Sequence, residues 1–247
     1  MKSAIYIPIA FFTGALLLME VLVCALDVPA YLLPPPSAIF AAFDLSLLRN
    51  LAVTLTEAFI GFALASLAAF VLALLFVRSP TLERGLFPIA ITLKTTPLVA
   101  IAPLLVLWLG TGWMSKIMAA ALISFFPVLV NTVKGLKAAD AEYFELFRTL
   151  RASAWQEFAK LRIPYCLPYL ASALKISSSL AIVGAIVGEF VGATQGLGYL
   201  IMVSSAHLET AVLFSAIFAA AAAGILMFNL LGWAERRLIF WQRFDAE

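Results

Sequence analysis

The sequence predicts an all-α, polytopic membrane protein with about six transmembrane helices, forming one domain over residues 1–247. Three observations carry that reading: the composition, the lengths of the apolar runs, and the side on which the basic residues gather. Apolar residues make up 64% of the chain and charged residues 12%, where a soluble domain carries about half and about a quarter. With 16 Lys and Arg and 14 Asp and Glu, the chain cannot cover the surface of a water-soluble fold of this length, so lipid must cover most of it. A net charge of +2, with no basic patch interleaved with aromatic residues, excludes nucleic acid as a partner.

A spanning helix needs about 20 mostly apolar residues. Residues 5–26, 51–77, 86–109, 113–133, 167–190 and 211–233 each supply such a run. The first is expected to be retained, because no small-residue cleavage site follows it. After it, Pro34, Pro35 and Pro36 end any helix, and the short amphipathic stretch at about residues 37–49 is expected to lie along the membrane interface. Gly110 and Gly112 permit a tight reversal over residues 109–113, with Trp108 and Trp113 at interfacial depth. The glycine-rich stretch 192–198 is expected to form a re-entrant loop on the outer side, where protein can shield its irregular backbone.

The basic residues set the orientation. With both termini cytoplasmic, the inner loops hold Lys2, Arg78, Arg84, Lys134, Lys137, Arg148, Arg151, Lys160, Arg162, Arg236, Arg237 and Arg243, whereas the outer loops hold Arg49 and Lys116. This topology places Cys24 and Cys166 on opposite sides, which argues against a disulfide. Lys94 and Lys175 fall in the inner halves of their spans and Glu20, Glu57 and Glu189 near outer ends. An intramembrane charge is costly, so each must reach an interface, find an ion-pair partner or serve solute passage. Lys94 stands among Thr92, Thr95, Thr96 and Pro97, a polar and proline-interrupted patch that suits a pathway wall better than a lipid-facing surface. The candidate pathway residues are therefore Lys94, Thr95, Thr96, Pro97 and Glu189.

The longest inner segment, residues 134–164, reads as an amphipathic helical element. Apolar side chains recur at Tyr143, Phe147, Leu150, Ala154, Phe158 and Leu161, at spacings of 4, 3, 4, 4 and 3. Such a stripe must bury somewhere. It can pack on the chain's own helix ends or on lipid headgroups, or it can dock into a groove on a soluble partner.

Here the sequence resembles a family, the binding-protein-dependent ABC importer permeases, and within it the branch that serves nitrate, sulfonates, taurine and related small solutes such as thiamine-precursor pyrimidines. The family's signature is E-A-A, three residues, G, nine residues, I-x-L-P. This chain has Glu145-Leu146-Phe147, three residues, Arg151, nine residues, then Leu161-Arg162-Ile163-Pro164. The stretches LLPPPSAIF, LKTTPLVAIAPLLVLWLGTG, FFPVLVNTVKGL and AIVGEFVGATQGLGYLI follow in the expected order. The resemblance implies a type I importer permease fold in the inner membrane of a bacterium or archaeon. It also implies that Glu145, Leu146, Phe147, Leu150, Arg151, Ala154, Phe158 and Pro164 couple the chain to an ATPase. Its implied partners are that nucleotide-binding subunit, an extracytoplasmic substrate-binding protein, a second copy of the chain and membrane lipid. Arg151 departs from the pattern, because arginine disfavours the positive φ that glycine allows. The bend is then expected to use helical or extended backbone, or the element is straighter and Arg151 pairs with an acid on the partner, or the chain is an uncoupled paralogue.

No cofactor is expected on this chain, ATP and Mg being used by the partner. It has no G-x-x-x-x-G-K-[ST] loop, and residues 192–198 lack the lysine and follow a span instead of a strand. One histidine, His207, expected on an outer loop, offers neither a metal set nor a nucleophile–base pair, so no catalytic residue is assigned. The rival reading is an ion-gradient-driven carrier or channel without an ATPase. It requires internal repeats and charges near the midplane, and the chain shows neither by inspection. A membrane-embedded enzyme would need clustered catalytic groups in the spans, and none are visible.

Overall fold

The computed structural model describes residues 3–239 and 241. Lys2 and Arg243, counted in the inner charge set, lie outside the described residues, as do both chain ends. The chain opens with helix α1, Ser3–Ala25, whose 23 residues at about 1.5 Å each suffice to cross a hydrocarbon core. Pro36 then starts a six-residue helix, α2, Pro36–Ala41. Glu20 of α1 accepts from the Ser37 amide at 2.9 Å and from its hydroxyl at 2.7 Å, which pins α2 to α1. The expected interfacial helix over residues 37–49 is thus shorter than anticipated. Asp44 accepts from the Leu47 amide at 2.8 Å and caps a 34-residue helix, α3, Leu45–Arg78, which takes up the remaining residues of that stretch.

Ser79 ends α3 and caps α4, Pro80–Thr95, with Pro80 at the first helical position where its missing N–H costs nothing. Pro97 separates α4 from α5, Leu98–Leu109, and the two are bent by 102°. The continuous span expected over residues 86–109 is therefore broken, because Thr96 before the proline leaves the helical region at ψ 126° and Pro97 follows at ψ 124°. Gly110, at φ 80°, then turns the chain into α6, Trp113–Leu136.

Helix directions show what the broken pair does. A Cβ on Gly61 of α3 would sit 2.5 Å from the Ile117 carbonyl of α6, and Phe76 shares a cluster with Val133 and Leu136. Going from Gly61 to Phe76 along α3 thus goes from Ile117 to Leu136 along α6, so the two run parallel. The chain must cross back between them, and α4 with α5 is the only segment available to carry it.

After α6 come two short helices, α7, Ala141–Thr149, and α8, Ala154–Glu157. A π turn, Phe158–Arg162, leads into α9, Ile163–Glu189. Pro164 lacks the N–H that would bond to Lys160, so the ladder widens there and the Ile163 amide reaches the Phe158 carbonyl. α9 runs antiparallel to α6, since Gly135 abuts Cys166 and Tyr169 while Gly184 abuts Ala120 and Ile123. The short apolar helix α10, Leu197–Ala206, precedes α11, Thr210–Leu238, which packs along α9 through Ser179 and Gly224.

The core is built by close approach of small residues, which is how helices associate where lipid is as apolar as they are. Ala58, Ala65, Ala69 and Ala73 of α3, Ala119 and Ala120 of α6, and Ala173, Ala181 and Ala185 of α9 are all buried. Among the described residues α3, α6, α11 and the unit Ala154–Glu189 are each long and apolar enough to cross a membrane, and the bent pair α4–α5 supplies a further pass. Arg78, Arg84, Lys134, Lys137, Arg148, Arg151, Lys160, Arg162, Arg236 and Arg237 share one end of this bundle, the end that the charge rule expects to face inward.

Candidate functional site

At the inner end, α7 and α8 stand outside the bundle as a bent two-helix element. Tyr143, Leu146, Leu150 and Trp155 are 43%, 51%, 68% and 72% exposed. The single stripe expected from the sequence is split by this bend. Phe147 and Phe158 are half-buried and Leu161 is buried, so they serve the joint, while Leu150 and Ala154 lie outside with Glu145 and Arg151. Tyr143 and Trp155, outside the signature, and Leu146 within it provide the outward apolar surface.

Arg151 makes the bend in the conformation expected to be closed to it. Its φ is +51°, in the left-handed region. The hydrogen bonds explain why. The Ala152 amide donates to the Phe147 carbonyl at 2.9 Å and the Arg151 amide to the Arg148 carbonyl at 2.9 Å, a Schellman closure of α7 with Arg151 at the position that demands αL. Two satisfied carbonyls and the docked second helix outweigh the steric cost, which is about 1–2 kcal/mol for a non-glycine residue. Across the bend, Ser153 and Gln156 form a reciprocal capping box that starts α8.

Arg162 joins this element to the bundle. Its guanidinium donates to Glu157 at 2.9 Å and to the Leu136 carbonyl at the end of α6 at 3.1 Å, and lies 4.6 Å from the centre of the Phe144 ring. Lys137 pairs with Glu83 at 2.6 Å and so ties the end of α6 to the first turn of α4.

Of the candidate pathway residues, Lys94, Thr95, Thr96 and Pro97 come together at the α4–α5 break, all exposed. The Thr95 and Thr96 hydroxyls donate to the Thr92 carbonyl at 2.8 and 3.3 Å, satisfying the last turn of α4, and Lys94 forms no ion pair among the described residues. No residue of α4 is fully buried, and Leu82, Phe87 and Ala90 are half-buried against the core of α3 and α6. The exposed polar groups at the break stand beside the exposed apolar Leu86, Ile89, Ile91 and Leu93, and it is the polar end of α4 that is poorly matched to lipid.

Glu189 is elsewhere and differently employed. It is 1% exposed, accepts from the Thr54 hydroxyl at 2.6 Å, and accepts from the Gly198 amide. It faces packed protein instead of an open passage. With Asn50, which accepts from the Gly196 amide at 2.7 Å, and Thr54, which accepts from the Leu197 amide at 2.8 Å, it receives three successive free amides at the start of α10. The N-terminus of α10, to which a carboxylate is electrostatically suited, is thus capped by side chains of α3 and α9. Gly196 has φ +107° and touches the Glu189 carboxylate, so the loop folds back onto α9 only with glycine there.

Lys116, expected in an outer loop, is a further correction. α6 begins three residues earlier, which turns Lys116 inward to 2% exposure, where it donates to the Thr111 carbonyl and lies near Glu57 and Glu189. Glu57 is 3% exposed and lies beside Glu189. Lys175 has an intramembrane partner, Glu235 of α11, at 2.5 Å. His207 is exposed at the end of α10, and Cys24 and Cys166 are both free.

Sequence reasoning missed Asn50, Thr54, Phe144, Trp155 and Arg162 as structural keys. Asn50, Thr54 and Glu57 stand at helical spacing on one face of an otherwise apolar span, a signal that was available. Arg162 carried none beyond its charge.

Comparison with known proteins agrees with this architecture. A family model described as binding-protein-dependent transport system inner membrane component matches residues 61–240. The chain is 35% identical to the formylaminopyrimidine transport permease protein of Halalkalibacterium halodurans over 240 residues, covering 96% of each. It is 32% identical to a putative aliphatic sulfonates transport permease protein of Bacillus subtilis, over 87% of this chain and 80% of that protein. In fold it is similar to the MetNI methionine ABC transporter in inward-facing form, with a TM-score of 0.58 at 19% identity, over 79% of this chain and 94% of the other. The chain belongs to the family of binding-protein-dependent transport system inner membrane components, and is a multi-pass membrane permease, a transport subunit whose ATPase is a separate chain.

Proposed function

We propose that this permease is one half of the translocation pathway of an ATP-driven importer, with α7 and α8 as the surface on which the nucleotide-binding subunit docks. The observation that carries the reading is the outward row Tyr143, Leu146, Leu150 and Trp155 on an element fixed outside the bundle. Exposed aromatic and aliphatic side chains on a rigid support are what a partner's groove takes up. Two copies side by side would cover the α4 faces that this chain leaves bare, placing Lys94, Thr95, Thr96 and Pro97 along a shared passage. Closure of the ATPase pair, with ATP and Mg held there, would rock the bundles between inward and outward access.

The solute is small and polar, delivered from outside by a binding protein. Relatives named for a formylaminopyrimidine and for aliphatic sulfonates bracket its chemistry, and Lys94 favours an anion such as a sulfonate, nitrate or the zwitterion taurine. The test is purification from native membranes followed by ATP-dependent uptake in proteoliposomes, with radiolabelled taurine, an alkanesulfonate and a formylaminopyrimidine as probes. A nucleotide-binding subunit should co-purify with the chain, and Leu150→Glu with Trp155→Glu should lose it. Retention of that subunit by the double variant at wild-type yield would overturn the docking surface.

A further inference from the structure

Resting on the importer reading, we propose that Arg162 is the positioning residue that transmits movement of the α7–α8 element to the membrane helices. Three of its contacts reach three different elements. It pairs with Glu157 of α8, it stacks on Phe144 of α7, and it donates to the Leu136 carbonyl, one of the orphan carbonyls that end α6. Its own backbone closes the π turn that heads α9. The planar guanidinium is what makes this possible, since one face stacks while separate N–H edges serve a carboxylate and a carbonyl.

Besides Arg162, α7 is held at the joint by the half-buried Phe147 and by Tyr143. The Tyr143 and Tyr165 rings lie 5.8 Å apart, and residues 137–140 form a turn. α8 is four residues long and continues through the widened π turn into α9 as one helical unit. A push on Leu150 or Trp155 therefore reaches α9 along the helical unit Ala154–Glu189, and reaches α6 through the Arg162 side chain. Arg162 itself is partly covered, with 24% of its side chain exposed, and each of its three guanidinium nitrogens has a partner within the chain, so it acts behind the docking surface and not on it.

The experiment uses the purified complex with its nucleotide-binding subunit, a spin label at Arg49→Cys in a Cys24→Ser background, and trapping with ATP, Mg and vanadate. Arg49 is exposed near the outer start of α3. The distance between labels on the two copies should shift on trapping in the otherwise unaltered protein. With Arg162→Gln, nucleotide should be trapped within about twofold of the unaltered amount while the labels stay at their resting distance. Phe144→Leu, which removes the stack and leaves the charge, should give an intermediate population. Arg162→Lys, which keeps the pair with Glu157 but cannot also serve Leu136 and Phe144, should do likewise. A role confined to holding the fold would lower yield, co-purification and trapping in step. That result, or a full label shift in Arg162→Gln, overturns the inference while leaving the importer reading intact. Labels that do not move in the unaltered complex overturn the importer reading, and this inference with it.

Discussion

Replacing Arg151 with glycine tests the bend in the docking element directly. At φ +51° the arginine side chain meets its own backbone, at a cost of about 1–2 kcal/mol that glycine does not incur. Glycine brings its own penalty, about 0.5–1 kcal/mol of additional unfolded-state entropy. The difference leaves Arg151→Gly more stable at this turn by about 0.5–1 kcal/mol, or roughly two- to fivefold in a local opening equilibrium. The assay is hydrogen exchange at the amides of Arg151 and Ala152, whose bonds to Arg148 and Phe147 close α7. Exchange should slow two- to fivefold in Arg151→Gly, remain near the original rate in Arg151→Ala, and accelerate at the Ala152 amide in Arg151→Pro, which has no N–H of its own and cannot reach positive φ. If Arg151→Gly exchanges faster than the original, the arginine is held by an interaction worth more than its strain and the Schellman account is wrong.

Other consequences follow from single contacts. Glu189→Gln keeps an acceptor for Thr54 but turns an amide donor toward the Gly198 N–H, so an unsatisfied buried pair of donors should cost about 1–3 kcal/mol, read as a lower apparent melting temperature in detergent. Gly196→Ala, by driving a methyl into the same carboxylate, should reduce folded yield further. Lys175→Met strands Glu235, whose other oxygen already lacks a partner, and should cost about 3 kcal/mol, whereas Lys175→Met with Glu235→Leu should recover most of that loss in the same melting assay. Leu150→Glu alone should weaken ATPase binding by about 30-fold, as expected for a central apolar anchor worth about 2 kcal/mol, with no change in folded yield.

The spans were legible because length and apolar content are properties of a segment, and lipid imposes both. Direction is not such a property. The 86–109 run has the composition of a span, and its Pro97 was visible, yet only the parallel packing of α3 on α6 shows that a 102° break there still carries the chain across. Lys116 illustrates a second limit. The charge rule counts it as a loop residue, but a start to α6 at Trp113 places it on the buried side of the first turn. For Arg151 a sound local preference was overruled by the carbonyls of Phe147 and Arg148, which a one-residue argument does not see. Glu189 was legible as a costly charge, but its use was not, because the amides that occupy it belong to Gly198 and its neighbours on a separate helix. The outward surface was legible in part. Periodicity marked Tyr143 and Leu150 but extended the same face through Phe147, Phe158 and Leu161, which the bend at residues 150–153 turns toward the bundle.

The docking surface can be read most directly by photocrosslinking in native membranes, with benzoylphenylalanine placed at Leu150 or Trp155 and, as a lipid-facing control, at Leu107, which is 77% exposed on α5. Illumination should join the first two positions to the nucleotide-binding subunit, identified by mass spectrometry of the adduct, and should give no such adduct from the third. A transport-competent complex in which neither Leu150 nor Trp155 captures that subunit would contradict the account.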